Sequence, residues 1–167
     1  MMKSTQSLAA LLCCAAFAFS GAAAAETVVV KMKSYEEVPA VSSGAIGHFT
    51  AFINEAAGTI DYELFFDGLE GDVRQSHIHF GQRGVSGGVS VYLCQTTFNA
   101  DPTGLAPTCP QSGTVTGTIR AANIIGPNGQ GIAPTELAEL IAAIRAGIAY
   151  PNVHSTKFPS GEVRGQF

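Results

Sequence analysis

The sequence has no tryptophan, only four histidines and four cysteines, and charged side chains at just 13% of its 167 positions. Nine Lys and Arg stand against thirteen Asp and Glu, a net charge of −4. So few basic groups exclude the electrostatic footprint that nucleic acid or an anionic membrane surface requires. No uninterrupted apolar run approaches the roughly 20 residues of a membrane-spanning helix. No nucleophile elbow, no H-E-x-x-H helix and no phosphate-cradling glycine loop followed by a helix is expected. Glycine, by contrast, is abundant, at 19 positions.

The N-terminus carries an address. Lys3 precedes an apolar stretch from Leu8 to Phe19, then Ser20-Gly21 and an alanine run to Ala25. A positive n-region, a short apolar h-region and small residues at −3 and −1 predict a secretory signal peptide over residues 1–25, cleaved before Glu26. A lipoprotein reading fits less well, because Leu12 stands where a small residue belongs before Cys13. Cleavage removes Lys3 and no acid, so the mature chain is more acidic still. The expected location is the periplasm or the extracellular medium, with a mature form that does not span the membrane. Loss of Cys13 and Cys14 leaves Cys94 and Cys109, an even pair in an exported chain, which predicts a disulfide. The alternative is metal ligation by one or both, though their spacing matches no compact metal motif. The intervening Gln95 to Thr108 is polar and turn-rich, the kind of loop a crosslink holds.

Residues 26–167 read as a single all-β domain. Short β-rich runs recur between Gly, Pro and Asn signals: 27–32, 47–53, 59–65, 76–80, 89–93, 114–119, 150–154 and 162–167. Asn54 to Gly58 reads as a hairpin loop. This spacing favours a Greek-key β-sandwich or barrel. One segment departs from it. Over 134–146, Leu137, Leu140, Ile141 and Ile144 fall at helical spacing, with Pro134 suited to the first turn and Gly147 to the stop. That amphipathic helix is expected to cover an open end or edge of the sandwich. Gly126 to Gly131 before it is a loop.

Two short stretches carry the chemistry, Ser76 to Phe80 and Tyr150 to His154. Successive strand side chains point to opposite faces, so His77 and His79 share one face and Ile78 and Phe80 the other. Asn152 and His154 likewise oppose Val153. With the apolar set in a core, three imidazoles stand on the outer surface of one sheet. Three neutral imidazoles converging on a point suit copper or zinc, and copper comes first in the divalent affinity order. Asn152, Gln75 or a backbone carbonyl would accept the distal N–H of a ligating ring. Metal affinity is then expected to fall below about pH 6 as the imidazoles protonate. The plainer alternative is that these histidines knit neighbouring strands together without metal.

Arg164 alternates onto the polar side of the last run. There it holds an anion beside the metal, pairs with Glu162 or Glu37, or locks the terminus, the last two being favoured. Glu36 and Glu37 read as an exposed acidic turn, His48 as a peripheral candidate, and Gly81, Gly84, Gly87 and Gly88 as a flexible turn.

Three phrases are similar to the CHRD family, named for the extracellular antagonist chordin: Glu36-Glu37-Val38-Pro39, His77-Ile78-His79-Phe80-Gly81 with Gly84, and Gly147 to Ser155 followed by Phe158 to Phe167. The resemblance spans essentially the whole mature chain. It implies a β-sandwich of immunoglobulin scale whose paired-His strand resembles the copper strand of Cu/Zn superoxide dismutases. Pro151 stands where the family has an apolar or β-branched residue. Having no N–H, it implies an edge strand or a strand start. Three functions follow from the residues and the resemblance. The first is an exported binding or structural domain with a mononuclear copper or zinc site on His77, His79 and His154. The second is a copper-dependent redox enzyme resembling superoxide dismutase. The third is a metal-free module that recognises an extracellular or periplasmic protein.

Overall fold

A computed structural model of the protein describes residues 25–167, so the expected signal peptide lies outside the described residues apart from Ala25. The chain forms β1 (Glu26–Lys33), β2 (Ile46–Asn54), β3 (Thr59–Asp67), β4 (Val73–Phe80), β5 (Gly88–Cys94), β6 (Gly113–Ile119), α1 (Leu137–Arg145), β7 (Ala149–Ser155) and β8 (Val163–Arg164). Period-two alternation makes the strands. Along β2, Gly47, Phe49, Ala51 and Ile53 are buried while Ile46, His48 and Phe52 are exposed. The facing strand β3 buries Ile60, Tyr62, Leu64 and Phe66, and the register places Phe49 opposite Leu64 and Ile53 opposite Ile60. Each such fully buried side chain contributes about 1.5–3 kcal/mol. Between these strands Asn54 Oδ1 accepts the Ala57 N–H, and Gly58 turns the chain at φ 62°, a left-handed conformation suited to glycine.

The strands pair antiparallel in the order β5-β4-β7-β8-β1-β2-β3-β6. The two ends of that order, β5 and β6, approach each other, so the sheet nearly closes into a barrel. The Tyr62 hydroxyl of β3 donates to the Leu93 carbonyl of β5 across the gap. Going round, β3, β6, β5 and β4 follow one another, which is a Greek key. The expected all-β architecture with one short helix is what the chain adopts. α1 is shorter than the spacing predicts, starting at Leu137 because Pro134 and Thr135 belong to the preceding turn. Its Leu137, Leu140, Ile141 and Ile144 join the common core, and Gly147 follows at φ 69°. No helix among the described residues is long and apolar enough to cross a membrane.

Two local expectations are corrected. The final strand is only Val163–Arg164, and Glu162 before it is fully buried, its Oε1 accepting from Ser43 Oγ and the Glu70 N–H. Pro151 sits neither at an edge nor at a strand start, since β7 lies between β4 and β8. The Gly165 N–H donates to the Pro151 carbonyl. Because N and O of one strand residue face the same neighbour, the missing N–H points at the chain beyond β8 and spares the β4 ladder.

Cys94 and Cys109 form the expected disulfide. It closes the base of a loop whose interior is organised by buried Asp101, which accepts from the N–H groups of Thr103, Leu105 and Ala106 and from the Thr103 hydroxyl. Replacing both cysteines by serine is expected to lower stability by about 3 kcal/mol, the loop-entropy value for this separation, or about 10 °C in thermal midpoint. An unchanged midpoint would show that Asp101 alone holds the loop.

Candidate metal centre

The site begins with strand register. β4 and β7 pair so that Gln75 faces His154, His77 faces Asn152 and His79 faces Tyr150. Side chains directly opposite or diagonal across an antiparallel pair lie about 4.5–8 Å apart, so the three histidines fall within one patch. Their ring centroids are 4.9 Å (His77 to His154), 5.2 Å (His77 to His79) and 5.8 Å (His79 to His154) apart. One nitrogen from each lies within 4.8 Å of the others. Ile78 and Val153 point inward to the core as alternation requires.

The rings are not on an open surface, however. His77, His79 and His154 are 2%, 8% and 5% exposed. Three loop segments roof this face of the sheet. The segment after β1 lays Glu37 against Asn152, whose Nδ2 donates to Glu37 Oε1 at 2.9 Å. The β4–β5 loop brings the Gly87 carbonyl to His79 Nδ1 at 3.0 Å, and the β7–β8 loop brings the Pro159 carbonyl to His154 Nδ1 at 3.0 Å. The roof is tied together by Arg83 with Glu36 and by Ser86 Oγ donating to the Val38 carbonyl. Alternation assigns residues to a face but says nothing of loops that fold over it, which is why an outer surface was expected and a covered one is found. Glu37 is accordingly buried, against the expectation of an exposed acidic turn. A cavity of about 170 Å³ lined by Glu37, Val38, Pro159 and Gly161 adjoins the roof.

Hydrogen-bond roles fix the tautomers. A carbonyl only accepts, so His79 and His154 carry their protons on Nδ1 and present lone pairs at Nε2. His77 Nδ1 stands 3.1 Å from His154 Nε2 and must be the donor of that bond, which leaves a lone pair on His77 Nε2. His77 Nε2 and His79 Nε2 are buried and have no partner. Of the acceptors expected to orient the rings, backbone carbonyls take the role; the side-chain oxygens of Asn152 and Gln75 accept no hydrogen bond, and Asn152 Nδ2 donates to Glu37. The electrostatics agree. Burial, then the neighbouring His154 and His79, holds the His77 imidazole far below the usual histidine range. Burial lowers His79 and His154 to about 4, although the Gly87 and Pro159 carbonyls pull the other way. Glu37 is raised to about 7 by burial, opposed by Asn152 and Arg164. At neutral pH the patch is therefore three neutral imidazoles.

Around them stand aromatic rings. Tyr92 meets His77 edge-on at 4.2 Å, and Tyr150 stacks on His79 at 4.9 Å with planes 3° apart. Gly87 is more than a flexible turn. Its N–H donates to the Tyr150 hydroxyl while its carbonyl takes His79, and a Cβ there would lie 1.8 Å from the Phe80 oxygen. Gly84 to Gly88 has the G-x-S-x-G spacing but joins two strands, not a strand to a helix, and no nucleophile elbow forms. Arg164 does not touch the histidines. Its guanidinium lies 3.4 Å from the Tyr150 ring, and β7 separates it from β4. It donates to the carbonyls of Val85 and Gln82 and to Gln166 Oε1, a lock on the terminus. His48 lies exposed on β2 beside Phe65, apart from the cluster.

Tyr92, Tyr150, Gly87 and Pro159 carried no signal as site residues in the sequence. Tyr92 and Tyr150 alternate onto the histidine face, but only the pairing of β4 with β5 and β7 shows it. Searches among curated proteins and among solved structures give no match. A family model does match: residues 28–167 fit the CHRD domain, nearly all of the described chain, and the protein belongs to the CHRD domain family.

Proposed function

We propose that this is an exported CHRD-type binding domain, periplasmic or secreted, that carries a mononuclear metal on His77, His79 and His154, copper ahead of zinc. The observation that carries the reading is the pair of buried, unpartnered imidazole nitrogens beside a third ring, with two rings oriented by backbone carbonyls. Leaving a buried acceptor without a donor costs about 1–3 kcal/mol, and two such nitrogens packed together are expensive unless something binds their lone pairs. One nitrogen from each of the three rings lies within 4.8 Å of the others, near enough for a single ion to reach all three. Carbonyl-bound Nδ1–H groups are the outer contacts that ligating histidines ordinarily make. The all-imidazole set supports copper first and zinc second.

The test is metal analysis of protein purified from its native compartment, followed by copper and zinc titration of the metal-free form. One equivalent is expected, and His79→Ala is expected to weaken copper binding more than about 100-fold, beyond the 10–100-fold of an outer contact. With imidazoles that stay neutral down to about 4, proton competition sets in lower than the pH 6 of a free histidine. Metal-free protein from that compartment that also refuses added copper would favour the purely structural role.

A second reading, recognition of an extracellular or periplasmic protein, draws on a different face. Val29, Ile46 and Phe52 project from β1 and β2 and are exposed at 64%, 48% and 46%. Partner binding that survives complete metal removal would support it.

A further inference from the structure

The metal reading accounts for two buried polar atoms without partners and leaves a third beside them, the amide oxygen of Asn152. Asn152 is 2% exposed, on the strand between those of His79 and Arg164. Its nitrogen is committed to Glu37 Oε1, and the oxygen on the other side of the amide is left without a donor. The β4–β7 register places Asn152 directly opposite His77, with His79 diagonal to it on the same face. The backbone closes over the Asn152–Glu37 bond at Gly161, where a Cβ would stand 2.2 Å from Asn152 Nδ2 and 2.5 Å from Glu37 Oε1. The amide is thus clamped in one orientation.

An amide oxygen and an imidazole lone pair are both acceptors, and neither satisfies the other. Turning the amide would take from Glu37 Oε1 the N–H that it now accepts. The arrangement is satisfied in full when a cation occupies the lone pairs and a ligand beside it brings a proton. We propose that Asn152, positioned by Glu37, accepts a hydrogen bond from the ligand that completes the metal's shell. The site then selects a small protic oxygen ligand, water in the resting state, over an aprotic anion such as azide. This rests on the three-histidine metal reading and gives that site its ligand class. Asn152 is a positioning residue here, acting through the ligand it holds.

The experiment uses the copper(II)-loaded protein and azide as the probe, followed by the charge-transfer band and by electron paramagnetic resonance. Wild type is expected to bind azide weakly, since azide must displace a water held by Asn152 and returns no proton to it. Asn152→Ala is expected to bind azide about tenfold more tightly with copper stoichiometry unchanged, the worth of one hydrogen bond. Asn152→Asp keeps an acceptor oxygen and is expected to show no such gain. Equal azide affinity in wild type and Asn152→Ala overturns the proposal. So does a loss of copper affinity above about 100-fold in Asn152→Ala, which would make Asn152 a ligand itself. If Asn152→Ala does not fold, pulsed resonance on the wild-type copper protein in H₂O and D₂O decides: an exchangeable ligand proton is expected, and its absence overturns the proposal. A wild-type chain that takes up no copper fails the metal reading instead.

Discussion

Metal-free protein is expected to lose about 2 kcal/mol of stability between pH 6 and pH 5. The sign follows from three imidazoles whose folded pKa lies below the unfolded value near 6.5: His79 and His154 at about 4, His77 lower. Above pH 6.5 neither state binds these protons and their contribution is complete. As pH falls toward 4 the unfolded chain takes up protons that the folded one refuses, at about 1.4 kcal/mol per unit for each ring. Glu37 acts oppositely. Its folded value of about 7 lies above the unfolded 4.5, so it stabilises at low pH and loses that contribution as pH rises through 7. Three rings against one carboxyl leave a net loss on acidification. Urea unfolding at pH 7, 6 and 5 measures it, and His154→Gln is expected to flatten the slope by about one ring's share. A midpoint that does not move between pH 7 and 5 would mean that the rings take up protons in the fold. Saturating copper should shift the decline to lower pH, because the bound form excludes the same protons.

Arg164→Leu is expected to cost about 3–4 kcal/mol, a fall of about 10 °C or more in thermal midpoint. The side chain is 2% exposed, and its removal strips donors from the Val85 and Gln82 carbonyls and the stacked cation from Tyr150. Gln166, which Arg164 also holds, reaches the carbonyls of Gly81, Gly147 and Ala149, so the loosened region includes both ends of the β4–β5 loop and the strand start of β7. Arg164→Lys should recover little, since an ammonium cannot both fork to two carbonyls and stack on a ring. The variant should also weaken copper binding, through Gly87 and its hold on His79. A group that merely steered anions would behave otherwise, leaving the melting temperature within about 2 °C of wild type while changing anion affinity.

How much of this was legible in the chain depends on range. The alternation Ser76-His77-Ile78-His79-Phe80 sets two imidazoles on one face wherever the strand ends up, because the backbone pleat imposes it. The same local rule put His154 and Asn152 together. The two cysteines left after the expected signal peptide implied the Cys94–Cys109 crosslink, and helical spacing marked Leu137 to Ile144. Glu37 shows the limit. Its motif Glu36-Glu37-Val38-Pro39 contains nothing that separates a solvated carboxylate from one 7% exposed beneath a loop. Pro151 misled for a related reason. Its missing N–H forbids a bond on one side only, and which side that is depends on the partner strand.

By itself, then, the sequence determined the strand-forming stretches, the face each histidine takes and the membership of an all-β class, since each follows from geometry within a few residues, while the cysteine count pointed to the crosslink. Only the tertiary structure decided that Gln75 pairs with His154 and His77 with Asn152, which brings the third ring to the other two. It also decided that loops from three separate parts of the chain roof the rings, drive their pKa values down and leave lone pairs without donors. The His77–His154 contact and the Glu37 cover over Asn152 join residues 77 and 115 positions apart, and no local pattern encodes them.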